Sequence, residues 1–198
     1  MSGLAAGGAS GFSASAVRRW LNERKPGPET ARLVHYWLSA WKGDRLPLRA
    51  DFHPREIVDL LPSICIFDVV PEESVRARLV GSRLVEGAGG VDITGCDWLE
   101  MTAPADRPVR LQRFGDVARG AIGLGVREAR RASGEAQYAE EIMLPFGDFG
   151  PGGARQVLTH VAWTPSLYDP VLTGIARNNS LLILFELTPL GGEMRLSA

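Results

Sequence analysis

Apolar positions along the chain follow a helical period first, then a strand period, then each again. Val34, Trp37, Leu38 and Trp41 recur at i, i+3, i+4 and i+7, the spacing of one helix face. Pro28 suits the first turn of that helix, Glu29 favours its positive end, and Gly43 supplies a stop. A shorter helix is predicted over residues 15–24. Another lies within 51–62, with Pro54 near its first turn, His53 flanking it and Pro62 closing it. In residues 63–70, Cys65, Phe67 and Val69 alternate with Ile64 and Ile66. In 75–80, Val75, Ala77 and Leu79 alternate with Arg76 and Arg78, so an antiparallel hairpin with one wet face is predicted. Glycines at 81, 87, 89, 90 and 95 break the next stretch into short turns and helices. Asp106 is positioned to cap a longer helix whose apolar stripe is Leu111, Phe114, Ala118, Ala121 and Ile122, ended by Gly123 and Gly125. Strands are predicted at 126–132, 137–146 and 156–164. A last apolar run at 181–187 is an added strand or a partner-facing edge.

Two strands, a helical crossing and three returning strands describe an α+β domain. Its five-stranded antiparallel sheet carries helices on one face, with an N-terminal flanking helix and a C-terminal extension. The expected division is a flexible tail over 1–27, a domain over 28–164 and an extension over 165–198. The first sixteen or so residues are rich in Ala, Gly and Ser and have too little bulk to offset the entropy of ordering.

Composition narrows the functional classes. Hydrophobic residues make up 45% of 198 residues, enough for one sizeable core. A formal net charge of -1 gives no general attraction to nucleic acid or an anionic membrane. No run approaches the roughly 18 apolar residues of a membrane span. The N-terminal stretch lacks a basic region followed by an apolar core, so a cytoplasmic location is expected. The two cysteines, Cys65 and Cys96, suit reduced thiols rather than a disulfide framework or a metal pair.

Several phrases carry a resemblance to a known family. Residues 78–85 (RLVGSRLV) look like a second strand entering a first short helix. Residues 92–101 (DITGCDWLEM) resemble the D-x-T-G passage common in PAS domains, its Thr-Gly turn placing Trp98 and Met101 inward. Tyr36-Trp37, Leu46-Pro47, His53-Pro54 with Ile57, and Leu60-Leu61-Pro62 are similar to the divergent bacterial class known as the fifth PAS family. The phrases at 141–145 and 157–158 suit it as well. The resemblance covers roughly residues 32–164 and implies a sensory or signalling module that binds a small ligand or pairs with other proteins.

The resemblance also sets tests. A haem PAS domain needs an axial histidine on or near the long helix, and none lies between Asp106 and Ile122. A photoactive flavin PAS domain carries Gly-Arg-x-Cys, whereas here Cys96 stands two positions early and Trp98 takes the cysteine slot. Haem and covalent flavin are therefore argued against, and the cofactor is left unknown. Candidate ligand contacts are Trp98, Phe114, Tyr138, Thr159 and Trp163, a mix of aromatic walls and polar groups. Val34, Trp37, Leu38 and Trp41 are the candidate dimer or partner interface, and a homodimer with a signalling partner is expected.

Other residues have plainer expectations. Glu140 and Glu141 point to opposite faces and cannot act as a pair. Of the two, Glu140 is the weak ligand candidate, with a solvent-exposed carboxylate the favoured reading. His160 is expected to be a satisfied structural histidine, and Cys65 a core residue. The dispersed His35, His53 and His160 offer no metal spacing. With no nucleophile elbow, no Ser-His-Asp set and no paired carboxylates at helical spacing, an enzyme ranks behind a ligand sensor and a ligand-free interaction module.

Overall fold

The computed structural model describes residues 13–87, 90–130, 136–164 and 184–189; of 127–130, 136–137, 163–164 and 184–189 it describes the backbone. Ser13 caps α1 (Ala14–Arg24) through its hydroxyl, which accepts from the Ala16 amide at 3.3 Å. Val17, Trp20 and Leu21 bury the inner face of α1. The flexible tail expected over 1–27 therefore does not extend to this packed helix, and residues 1–12 lie outside the described residues. After Lys25 in the left-handed region and Pro28 at the first turn comes α2 (Pro28–Ser39). It ends before Gly43, and Trp41 follows it in a turn. Its ring stays edge-on to Trp37, with centroids 5.1 Å apart at 86°.

The single helix expected between 51 and 62 is instead a set of 3₁₀ turns at Arg49–Asp51, Pro54–Ile57 and Leu61–Ser63. Two closely spaced prolines favour such short turns over a continuous ladder. His53 flanks Pro54 and accepts the Tyr36 hydroxyl at its carbonyl. The hairpin β1 (Ile64–Val70) and β2 (Ser74–Val80) follows, then α3 (Ser82–Gly87) and α4 (Arg107–Ala118). Asp106 makes no side-chain cap on α4. Arg107 holds its start instead, donating to the Thr102 and Glu100 carbonyls at 3.0 and 3.3 Å.

α4 stops a turn earlier than its apolar stripe suggests. Gly120 takes φ +110° and donates to the Val117 carbonyl, which turns Ala121 and Ile122 into β3 (Ala121–Arg130). Then come β4 (Ala136–Phe149), β5 (Arg155–Thr164) and β6 (Leu184–Pro189). The antiparallel sheet runs β2-β1-β5-β4-β3, the five expected strands, with β6 added beside β3. Part of the 181–187 apolar run thus forms a sixth strand.

Both faces of this sheet are covered. Ile64, Ile66, Ile122, Leu124, Ile142, Leu144, Phe146 and Leu158 meet α1, α2 and the 3₁₀ turns in one core. Cys65, Phe67, Val69, Met143 and Val157 meet α4 and the 93–99 loop in a second core. Alternation along each strand divides one sheet between two layers.

Candidate functional site

The α4 face gathers aromatic side chains from distant parts of the chain. Phe67 of β1 stands edge-on to Phe114 of α4, with centroids 4.9 Å apart at 68°. Trp98 tilts against the same ring at 6.0 Å, and the Arg110 guanidinium lies 5.2 Å over the Trp98 indole. Phe114 is buried and Trp98 half-buried, so two of the five predicted contacts converge through Phe67. Met101, expected to point inward, is exposed.

Trp98 is held by the loop before it. Asp92 accepts from the Thr94 amide at 2.9 Å, Gly95 turns at φ +87°, and Asp97 accepts from the Leu99 amide at 2.9 Å. The Gly95 and Trp98 amides then donate to Ala77 and Val75 of β2, each at 2.7 Å. The Thr94-Gly95 passage thereby closes part of the outer edge of β2. Cys96, on this turn, is exposed.

A buried polar group borders the aromatic cluster. Thr159 pairs with Cys65 and Met143 across β5, β1 and β4, and its side chain hydrogen-bonds the Cys65 thiol. Burial and the nearby Glu141 carboxylate push that thiol up to about 11, against the pull of hydrogen bonds from the Gly81 backbone and Thr159. Glu141 is itself buried. On β3 the positions opposite Met143 and Glu141 are Gly123 and Gly125, which carry no side chain toward α4. The site is thus three rings, a thiol, a hydroxyl and a carboxylate beside a strand stripped of bulk.

Strand parity places other residues elsewhere. Tyr138 shares parity with Glu140 and Ile142, so it lies on the face opposite Thr159 and is no contact of this site. The backbone of Trp163 pairs with Ala139, and its side chain lies outside the described residues. Glu140 also turns away from α4, and Glu141 is the carboxylate on the site's face. Rather than facing solvent, both Glu140 oxygens accept from the Gly27 amide at 3.1 Å, at the start of α2.

His160 faces the N-terminal helices as well, opposite Ile64 and Ile142. It is fully buried, and neither ring nitrogen has a hydrogen-bond partner among the described residues. The expectation of a satisfied histidine therefore does not hold. Desolvation, helped by the Arg83 charge, pulls its pKa down to about 4.

The proposed interface residues are placed inside the molecule. Val34, Trp37 and Leu38 are buried against the chain's own sheet, and Trp37 Nε1 donates to the Pro145 carbonyl at 3.1 Å. Trp41 is partly buried beside them, its Nε1 donating to the Gly43 carbonyl at 3.1 Å. An indole on a helix face buries a large area wherever an apolar sheet face is available, and β4 and β5 provide it for Trp37.

Among the described residues no three His, Cys, Asp or Glu side chains gather as a metal site, and no helix is long and apolar enough to cross a membrane. A family model described as "PAS domain" matches residues 26–156. The chain belongs to the PAS domain family. PAS domains are in general sensory or signalling modules rather than enzymes, and the fold supports that broad role here. The PAS domain of BvgS from Bordetella pertussis is 16% identical, with 59% of this chain and 85% of that one covered at a TM-score of 0.38. A variant of RsLOV is 14% identical, with 63% and 77% covered at a TM-score of 0.35. No curated protein matches.

Proposed function

We propose that this PAS domain senses a small ligand held between α4 and the sheet. The convergence of Trp98, Phe67 and Phe114 with Thr159, Cys65 and Glu141 on one sheet face carries this reading. Aromatic walls with a few convergent polar groups suit a compact, mainly apolar molecule bearing one hydrogen-bonding group. Gly123 and Gly125 present no side chain on this face, where a branched strand residue would add bulk.

The same groups do not make a catalyst. Glu141 beside Cys65 raises the thiol's pKa, the opposite of what activates a nucleophile. His160, the one histidine of β5, faces the other core and serves neither group as a base. We therefore assign a non-enzymatic role in the cytoplasm, with output through protein partners that include a second copy of the chain. Val34, Trp37 and Leu38 are covered, so such a partner meets a different surface.

Native mass spectrometry and an absorbance scan of the purified chain test the ligand. Added mass is expected in the wild type and absent from Gly125→Val. A wild type of bare sequence mass, with side chains filling the space beside Gly125 in a crystal structure, would overturn the reading. Light scattering tests the pairing, and a strict monomer at high micromolar concentration counts against it.

A further inference from the structure

The core under α2 contains a polar arrangement unrelated to the ligand face. His160 is fully buried between the sheet and the N-terminal helices, with both ring nitrogens unpartnered among the described residues. Thr30, in the first turn of α2, is equally buried, and its hydroxyl is also unpartnered there. The helix runs along β4, its start held at Glu140 and Trp37 bonded to Pro145. That course carries Thr30 over the Ile142–His160 row. Glu29, next to Thr30, puts a carboxylate oxygen 3.7 Å from His160 Nε2, beyond hydrogen-bond reach.

Among the described residues few charges face this ring. From α2 there is Glu29, half exposed and therefore screened by water. From α3, Arg83 acts against a second positive charge. On β4, Glu140 is engaged by the Gly27 amide and Glu141 lies on the opposite face. β1 presents Ile64, and β5 offers Leu158 and Ala162 on the same side, none of them charged.

We propose that the docking of α2 on the sheet is a proton-operated latch, in which protonation of His160 loosens the N-terminal helical layer from the face it covers. Neutral, the ring is tolerated among aliphatic side chains. Protonated, it carries two N–H donors and a charge, and among the described residues no acceptor lies in hydrogen-bond range. Lifting the layer hydrates the ring and also frees Thr30 and Glu29. The latch lies on the face opposite the ligand site and does not depend on a ligand.

Native-state hydrogen exchange on the full chain between pH 7.5 and 4.5 tests this, with rates corrected for intrinsic chemistry. The gap between 6.5 and about 4 predicts a rise in the α2 opening constant on the order of 80-fold by pH 4.5. At that pH the α2 amides are expected to open more readily, and with weaker denaturant dependence, than those of β1. His160→Gln is expected to lose the rise. An α2 opening constant that does not change with pH would sink the proposal, as would an equal rise in His160→Gln. Identical opening of α2 and β1 at pH 4.5 would do the same, because the layer would then leave only with global unfolding. Should His160→Gln not fold, NMR titration of the wild-type ring decides: a midpoint near 6.5 in the folded chain overturns the latch.

Discussion

Cys65 and Cys96 show how much burial changes a side chain that is nearly silent in sequence. Cys96 is exposed on the Gly95 turn, whereas Cys65 is buried with its thiol pushed up to about 11. Native protein is therefore expected to react with a thiol reagent rapidly at one site, Cys96, and with Cys65 only on unfolding. Two fast thiols would contradict the burial of β1. His160 makes a second residue-scale prediction. Its folded pKa of about 4 lies below its ordinary 6.5, so the unfolded chain binds the proton first as pH falls. This contribution to stability is complete above pH 6.5 and is lost progressively down to about pH 4. The full loss is about 3 kcal/mol, measurable as a falling urea midpoint that His160→Gln lacks. Cys65 was legible as a core residue from its place in an apolar alternation. That His160 has no hydrogen-bond partner among the described residues was not, since a single residue carries no record of what packs opposite it.

Among the elements, the strands and α2 follow their sequence periods closely, and the departures occur where a turn is decided by few residues. Ala121 and Ile122 continue the stripe of α4 at helical spacing, yet the turn at Gly120 sends them into β3. A period read over few residues is compatible with either element. Gly81 marks a junction with less latitude. A Cβ there would stand 2.3 Å from the Pro62 carbonyl oxygen and 2.6 Å from that of Leu61, both backbone atoms that cannot swing aside. Gly81→Ala is expected to force β2 and α3 away from the Leu61–Ser63 turn. It should destabilise by about 3 kcal/mol, read as a lower denaturation midpoint. A change below roughly 0.5 kcal/mol would mean that the junction is looser than drawn. The D-x-T-G passage was recognisable as a turn from Asp92, Thr94 and Gly95. Its second task, sealing the edge of β2, depends on a strand distant in sequence.

For the molecule as a whole, the N-terminal layer is half of the core rather than an appendage. Removing residues 1–25 takes away α1 with Val17, Trp20 and Leu21. That truncation should still fold, with a melting temperature roughly 10 °C lower, on about 3 kcal/mol or more of lost burial. Removing residues 1–43 also strips α2 and bares Ile64, Ile142, Leu144 and Leu158. That product is expected to aggregate, measured as light scattering and loss from the soluble fraction. A soluble, cooperatively folded 44–198 fragment would show that the layer is dispensable. The sequence by itself determined the order of elements, the two-residue alternation of each strand and the helical face of Val34, Trp37 and Leu38, because these are local periodicities. It also made the PAS resemblance legible, through short phrases kept in order. Only the tertiary structure decided which layer each face meets. It turned Trp37 inward, set Glu141 rather than Glu140 on the α4 side, put Phe67 between Trp98 and Phe114, and placed Tyr138 on the opposite face. The physical reason is that alternation separates two faces without naming them. Which face meets α4 and which meets α2 is set by strand register and by chain packing across many residues.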